Sequence, residues 1–290
     1  MKTVELFKVK TVLSFEVFPP KKTSSLDTIY KTLNELSNLS PDYISVTYSA
    51  GGSDNGESTV EISSTIKNQY HIESVAHLTC ISQTKEEVLF LLERLRVNNI
   101  ENILALRGDI NPDIPPKQDF KYASDLISFI KKNSDFNILA ACYPEGHIEV
   151  ASIAEDIRNL KIKVENGVDH LISQLFFDNN YFYAFLERAE HAGITVPIEA
   201  GIMPVVNRKQ IERMVSLCGV DLPKKFTAMM NRYENNSVAM RDAGIAYAVD
   251  QIVDLVSQGV DGIHLYTMNN AYIAQKINEA VKSLFISPRW

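Results

Sequence analysis

Leu13-Ser14-Phe15-Glu16-Val17-Phe18-Pro19-Pro20-Lys21 is the stretch from which the rest of the chain can be read. Leu13, Phe15 and Val17 alternate with Ser14 and Glu16, the two-residue period of a strand. Pro19 and Pro20 stop that strand, because proline has no amide hydrogen to give to a ladder. A carboxylate on an otherwise apolar strand, close to its C-terminal end, is costly unless it is paired or used. Glu16 alone fits a structural ion pair as well as a catalytic role. What shifts the balance is that later strands also end in polar residues.

Working outward, further strands are expected at residues 43–48, 74–79, 102–106, 137–141, 170–175, 196–202 and 262–266. Helices fall between them. Ser24 or Ser25 can cap one that carries Leu26, Ile29, Leu33 and Leu36 at helical spacing. A glycine-loosened loop at 49–58 leads to a helix from about Thr59, and Thr84 with Glu87 reads as a capping box before Val88, Leu91, Leu92 and Leu95. Residues 110–120 read as a surface excursion and 122–132 as the next helix. The helix after strand five should bury Val150, Ile153, Ile157, Leu160 and Val164. Later helices are expected at 179–192, on Ile211, Met214 and Val215, and at 239–257. Strands alternating with helices at roughly thirty-residue intervals point to a single (β/α)8 TIM barrel, residues 1–290 as one domain. A doubly wound sheet is the alternative, but no G-x-G-x-x-G follows any strand.

The composition narrows the function. The 290 residues are 45% hydrophobic and 22% charged with a net charge of −7, which offers nothing to a nucleic-acid backbone or an anionic membrane. No apolar run is long enough to span a bilayer, and the N-terminus lacks a signal-peptide pattern. Cys80, Cys142 and Cys218 are odd in number and far apart, as expected of a reduced, cytoplasmic protein.

In such barrels the active site lies at the C-terminal ends of the strands. Those ends supply Glu16, Thr47, His77, Arg107 with Asp109, Tyr143 with His147, Gln174 and Tyr266. Parallel strands are normally apolar on both faces. Ser14, Glu16, Ser45, Thr47, His77, Arg107 and Gln174 break that rule near strand ends, where they can point into the barrel mouth. No metal site is expected: His77 and Cys80 lie three apart on a strand, hence on opposite faces, and no second pair has ligand spacing. Cys142 reads as a small core residue, and no G-x-S-x-G supports serine catalysis. Glu199 rivals Glu16 as a buried acid, with an outward-facing position on strand seven as the other reading. The remaining histidines give no signal, and His191 reads as solvated. Arg107, His147 and Lys163 beside an acid suggest a pocket for a phosphate-bearing cofactor and general-acid chemistry.

The same blocks carry a resemblance. Ser14–Lys21, Ser45-Val46-Thr47-Tyr48, Ala76-His77-Leu78-Thr79-Cys80 and Leu104-Ala105-Leu106-Arg107-Gly108-Asp109 appear in order. Tyr122-Ala123-Ser124-Asp125-Leu126, Tyr143-Pro144-Glu145, Gln174-Leu175-Phe176-Phe177-Asp178 and Tyr266-Thr267-Met268-Asn269 complete the series. Together they resemble the short bacterial type of the methylenetetrahydrofolate reductase family over essentially the whole chain. The resemblance implies a barrel that binds FAD without a Rossmann motif, takes reducing equivalents from NADH or NADPH, and reduces 5,10-methylenetetrahydrofolate to 5-methyltetrahydrofolate. It also implies a homo-oligomer, and a length too short for the regulatory domain of eukaryotic members, so that inhibition by S-adenosylmethionine is not expected.

By the same resemblance Glu16 matches the general acid, and Asp109 the aspartate near flavin and pterin. Gln174 matches a residue contacting folate and nicotinamide, Gln210 a folate contact and Thr47 a nicotinamide-side contact. Tyr48, His77, Arg107, Gly108, Tyr122, Ala123, Tyr143, His147, Asp156, Asn159 and Lys163 fall on FAD positions. Four residues depart from the pattern. Ile162 stands where some relatives carry an arginine near the FAD tail, Asn270 stands where an arginine often meets the folate tail, Met214 replaces an aromatic that can cover substrate, and Ala200 stands where a proline usually precedes Gly201. Rival readings are another FAD-barrel oxidoreductase of the proline dehydrogenase kind and a non-catalytic flavin- or folate-binding subunit.

Overall fold

The computed structural model describes residues 1–20, 27–48, 56–110 and 115–285, without the side chains of 209, 210, 213 and 217. Eight parallel strands close on themselves in sequence order: β1 (Val12–Val17), β2 (Tyr43–Val46), β3 (Glu73–Thr79), β4 (Asn102–Leu106), β5 (Asn137–Cys142), β6 (His170–Ser173), β7 (Ile198–Ile202) and β8 (Gly262–Tyr266). This is the expected (β/α)8 barrel. Helices α1 (Asp27–Ser37), α2 (Glu57–Asn68), α3 (Lys85–Val97), α4 (Ala123–Asn133), α5 (Ile153–Glu165) and α6 (Asn179–His191) follow the first six strands in turn. Three helices, α7 (Arg208–Cys218), α8 (Lys224–Arg232) and α9 (Ser237–Ser257), separate β7 from β8, and α10 (Ala271–Val281) closes the ring.

The two faces of each strand go to different places. Leu13, Phe15, Val17, Ile44, Val46, Leu78, Ile103, Ile138, Leu171 and Ile263 point outward and join Ile29, Leu33, Leu36, Ile62, Leu91 and Leu126 of the helices in one buried cluster. Each such fully buried side chain contributes about 1.5–3 kcal/mol relative to exposure. The alternate residues Val12, Tyr43, Val75, Leu104, Leu139 and Ile172 point inward and form a second cluster. Phe7, on a 3-10 turn at Thr3–Lys8, joins this cluster and closes the N-terminal end of the barrel.

Several boundaries differ from the sequence reading, each for a local reason. β2 and β6 stop earlier because Thr47-Tyr48 and Gln174-Leu175 prolong the strand pattern beyond the ladder. β7 starts at Ile198 because Pro197 cannot donate to the ladder. The helix placed over Val150 begins only at Ile153, where Ser152 Oγ accepts the Glu155 amide at 3.2 Å. Ile153 is accordingly exposed, and the buried stripe is Ile157 and Leu160 with Val164 half-buried. The capping box of Thr84 and Glu87 is present, and α1 buries Ile29, Leu33 and Leu36. Ser24, Ser25, Leu26 and most of the 49–58 loop lie outside the described residues. Helix α8 was not foreseen; it buries Phe226 and Met230, four residues apart, in a satellite cluster with Leu175, Phe177, Met203, Val205 and Met240. Gly244 of α9 makes this packing possible: a Cβ there would lie 1.6 Å from the Val205 carbonyl oxygen. No helix among the described residues is long and apolar enough to cross a membrane.

Candidate active site

Glu16, Thr47, His77, Arg107, Asp109, Tyr143, His147, Gln174 and Tyr266 all line one cavity of about 640 Å³ at the C-terminal end of the barrel. Every strand-end residue singled out from the sequence is therefore brought to one place. Tyr48, Gly108 and Met214 line it too. Ser14 and Ser45, read as mouth residues, are fully buried below it.

Glu16 is mostly shielded, its Oε2 3.6 Å from Nε2 of both His77 and His264. Burial pushes the His77 imidazole down to about 4, against the pull of Glu16 and with help from His264, so the ring is neutral at neutral pH. Its Nε2 is buried and has no hydrogen-bond partner among the described residues. The backbone around Glu16 is held by the loop after β8. Thr267 Oγ1 donates to the Glu16 carbonyl at 2.6 Å, while the Asn269 amide accepts from Phe18 N at 3.0 Å and donates to Phe18 O at 2.8 Å. The Tyr266-Thr267-Met268-Asn269 block thus fixes the end of β1. Tyr266 itself donates to the Ser173 carbonyl at 2.7 Å, across a gap that only a glycine at 201 leaves open.

Below Glu16 lies a network that the sequence reading missed. Glu199, for which an outward-facing position was considered, points into the barrel and is fully buried. It accepts from Ser14 Oγ at 2.8 Å and from the Tyr43 hydroxyl. Ser14 Oγ is 2.7 Å from His264 Nδ1, and Ser45 Oγ 3.4 Å from His264 Nε2. Burial pushes the Glu199 carboxyl up to about 7, opposed by His264 and by the bonds from Tyr43 and Ser14. His170 and His264, which gave no signal, are both fully buried inside the barrel. The signal was available: Gly262, His264 and Tyr266 alternate on β8, so His264 shares a face with a mouth residue.

Arg107 and Lys163, read as cations of an anion-capable pocket, each engage a group of the protein. Arg107 Nη2 donates to Glu149 at 2.8 Å, and this pairing holds the guanidinium above its ordinary range. Lys163 Nζ donates to the Ala141 carbonyl at 2.7 Å, and burial lowers its pKa. Lys117, not singled out from the sequence, lines the cavity and pairs with Glu87. Asp109 stands exposed on the rim. Gln174 Oε1 accepts the Leu175 amide at 2.9 Å, which leaves its NH2 as the donor on that side. Tyr122 and Ala123 sit at the start of α4, while Asp156, Asn159 and Lys163 lie on α5, with Asp156 buried and Asn159 exposed. Ile162 is exposed on α5. The Gln210 side chain lies outside the described residues. Cys80 and Cys142 are buried, and burial pushes both thiols up, Cys80 to about 12, as for core residues. Among the described residues, no group of three His, Cys, Asp or Glu is placed to hold a metal ion.

The family model for methylenetetrahydrofolate reductase matches residues 2–282. The chain belongs to that family. It is therefore an oxidoreductase built on the family's barrel. It is 36% identical to the 5,10-methylenetetrahydrofolate reductase of Escherichia coli K12 over 91% of this chain and 88% of that one. It is 34% identical to methylenetetrahydrofolate reductase (NADH) 1 of Arabidopsis thaliana, spanning 90% of this chain and 46% of the plant protein. Among solved structures, a Clostridium thermocellum protein described as binding two copies of 5-methyl-5,6,7,8-tetrahydrofolic acid shares the fold, with a TM-score of 0.68 over 96% of both chains at 14% identity.

Proposed function

We propose that this family member reduces 5,10-methylenetetrahydrofolate to 5-methyltetrahydrofolate, with NADH or NADPH as donor and FAD as carrier, by a ping-pong exchange in one cavity. The observation that carries the reading is Glu16, a carboxyl group fixed at the cavity floor between two imidazoles. A folate substrate agrees with the names of the relatives and of the Clostridium protein, and NADH is the donor named for the plant relative.

The residues present suit a flavin. His77 Nε2, without a hydrogen-bond partner among the described residues, offers a buried polar contact, Tyr48 and Tyr143 give aromatic edges, and Gly108 gives close backbone approach. Tyr48, His77, Arg107, Gly108, Tyr143 and His147 would hold it at the cavity, with Tyr122, Ala123, Asp156, Asn159 and Lys163 along the α4–α5 side. Bound there, FAD supplies the two-electron chemistry that no side chain can provide.

The chain's own residues do the rest. Glu16 gives a proton from its carboxyl oxygen to the folate nitrogen that departs as the five-membered ring opens. Asp109 presents a negative charge to the cationic iminium that results. Gln174 donates its amide hydrogens to whichever ring system is bound, Thr47 contacts the nicotinamide, and Gln210 the folate. A homo-oligomer in the cytoplasm, folded as one catalytic domain over 1–290, completes the proposal on the strength of the family resemblance.

The test is an anaerobic absorbance record of the purified, flavin-reconstituted protein. NADH or NADPH should bleach the flavin band, and methylenetetrahydrofolate should restore it. Bleaching without recovery would leave the flavin and remove the folate. A protein that takes up no flavin would overturn the reading.

A further inference from the structure

Glu199 is a fully buried carboxyl group that the proposed reaction leaves idle. A carboxyl group inside a core is costly, and a well-packed apolar residue commonly serves stability as well or better. The fold nevertheless makes room for this one. β7 and β8 set Glu199 beside Gly262, and a Cβ at Gly262 would lie 2.9 Å from Glu199 Cγ. Ser14 Oγ lies 2.8 Å from Glu199 Oε1 and 2.7 Å from His264 Nδ1. The other nitrogen of that ring, Nε2, lies 3.6 Å from Glu16 Oε2. A continuous file of polar atoms therefore runs from the buried acid to the acid at the cavity floor. The last gap is longer than a hydrogen bond, and catalytic contacts of this kind tighten when the ligand is bound. His77 Nε2 is as near to Glu16, but it has no hydrogen-bond partner among the described residues.

Ser14 has one hydroxyl hydrogen for two neighbours, so it donates to one and accepts from the other. When Glu199 carries a proton it donates to Ser14, Ser14 donates to His264 Nδ1, and His264 turns Nε2–H toward Glu16. When Glu199 is ionised, Ser14 donates to Glu199, His264 Nδ1–H donates to Ser14, and a bare Nε2 faces Glu16. The proton on Glu199 thus selects the tautomer of the neutral ring. The other groups facing Glu199 cannot play its part. Burial pushes the Tyr43 phenol up, so it keeps its proton, and pushes His170, which stacks on Tyr43, down to about 3, so it has none to spare. Asp42, whose charge also acts on Glu199, is engaged by Lys10 and the Leu13 amide. Glu199 itself, pushed up to about 7 by burial, stays partly protonated at neutral pH, where an ordinary carboxyl group has lost its proton.

We propose that Glu199 is the proton reserve of Glu16, reloading it through Ser14 and His264 once Glu16 has protonated the folate nitrogen and while the ligand still shields it from water. This rests on the reading that Glu16 is the general acid for a folate. The balance is one proton. The Glu199 hydrogen passes to Ser14 Oγ, the Ser14 hydroxyl hydrogen to His264 Nδ1, and the His264 Nε2 hydrogen to Glu16 Oε2. Glu199 ends ionised and held by the hydroxyls of Tyr43 and Ser14. No oxidant or reductant takes part. A reloaded Glu16 cannot take the proton back from the folate, so the opened ring does not close again by that route. After product leaves, Glu16 regains a proton from water at the cavity, and the same transfers run backward to refill Glu199. Glu199 touches no ligand and acts only through Glu16, as a positioning residue for its proton.

The experiment uses flavin-loaded full-length protein, reduced with one equivalent of NADH and mixed anaerobically with methylenetetrahydrofolate in a series of H2O–D2O mixtures. Reoxidation of the flavin is read in a single turnover. For wild type the rate should fall along a curve as deuterium rises, because several hydrogens move together. Glu199→Gln keeps the shape of the side chain without the acidic proton. It should slow reoxidation by about tenfold or more and turn the curve into a straight line, with flavin reduction by NADH changed less than twofold. Ser14→Ala breaks the file while leaving Glu199 in place, and it should do the same. The proposal is overturned if the wild-type plot is straight, if either variant reoxidises at the wild-type rate, or if a slowed variant keeps the wild-type curve, which would make Glu199 a packing residue. A wild-type protein that shows no redox cycle with nicotinamide and folate instead removes the functional reading, and this proposal with it.

Discussion

The inside of the barrel carries polar side chains at two levels, and the levels are in opposite states. In the lower one Ser14, Tyr43, Glu199 and His264 are fully buried and bonded to one another. In the upper one Glu16, His77, Asp109 and Gln174 face a cavity, and His77 Nε2 has no hydrogen-bond partner among the described residues. Buried polar groups are normally satisfied, so an unsatisfied one beside an open cavity points to a ligand, whereas a closed network points to structure. The same strands supply both: Ser14 and Glu16 are two residues apart on β1, and His264 and Tyr266 on β8. The lower level is closed on itself; the upper level is open to the cavity.

Glu16→Gln should break this contrast most sharply. The amide keeps the shape of the side chain but has no acidic proton to give, and general-acid catalysis is worth roughly 10²–10⁴-fold. Anaerobic stopped-flow should show reoxidation of the reduced flavin by methylenetetrahydrofolate slowed about 1,000-fold. Reduction of the flavin by NADH should stay within a few-fold of wild type. Equal loss in both half-reactions would make Glu16 a structural residue, and the two levels would no longer differ.

The titratable groups buried beneath the cavity should declare themselves in stability against pH instead. His170 is held neutral by burial, its pKa pushed down to about 3 from an ordinary 6.5. The unfolded chain takes up that proton below about 6.5 and the folded chain does not, so stability is full above this pH and falls as the pH drops toward 3. Glu199 works the other way. Its pKa, raised from 4.5 to about 7, means that the folded chain keeps a proton the unfolded chain has lost, so stability falls as the pH rises from about 4.5 to 7. A tenfold difference in proton affinity between the folded and unfolded chains corresponds to about 1.4 kcal/mol. In urea titrations across pH 4–8, His170→Gln should flatten the acid limb, and Glu199→Gln should remove the decline between 4.5 and 7. A Glu199→Gln profile that overlays wild type would show that Glu199 holds its proton equally in the folded and unfolded chains.

The upper level was legible in the sequence; of the lower one Ser14, Ser45 and Glu199 were noted, but their network with Tyr43 and His264 was not. A charged or polar residue before a Pro-Pro or Gly-Asp break announces itself, as Glu16 and Arg107 do, because strand ends are where barrel sites sit. Glu199 and His264 lie mid-strand in apolar surroundings, where one residue of slip turns a side chain from inside to outside. Which way they point depends on the register, Glu199 beside Gly262 and Ser14 beside His264, and register is a property of neighbouring strands rather than of any one. Of the three helices before β8, α7 and α9 were read from the sequence and α8 was not: it is short, and its buried Phe226 finds its partners in the distant Phe177 and Tyr247. The partners of Arg107 and Lys163 were equally hidden, since Glu149 and the Ala141 carbonyl that engage them lie 42 and 22 residues away in sequence.

The smallest effect concerns the loop that ties the two levels together. Thr267 and Asn269 hold β1, while the next residue, Asn270, caps α10 by accepting the Ile273 amide at 3.3 Å. In the sequence Asn270 stood out as the replacement for an arginine that meets the folate tail; in the fold it has a structural task of its own. Removing such a cap costs about 1 kcal/mol. Asn270→Ala should therefore lower the stability by that amount in chemical denaturation while the KM for the folate stays within twofold. Asn270→Arg separates the two roles, because it loses the same cap and regains a cation beside the mouth. It should match Asn270→Ala in stability and bind a folate bearing several glutamates more tightly than wild type. A gain in affinity with no loss of stability would mean that the cap contributes nothing, and that the loop serves the upper level alone.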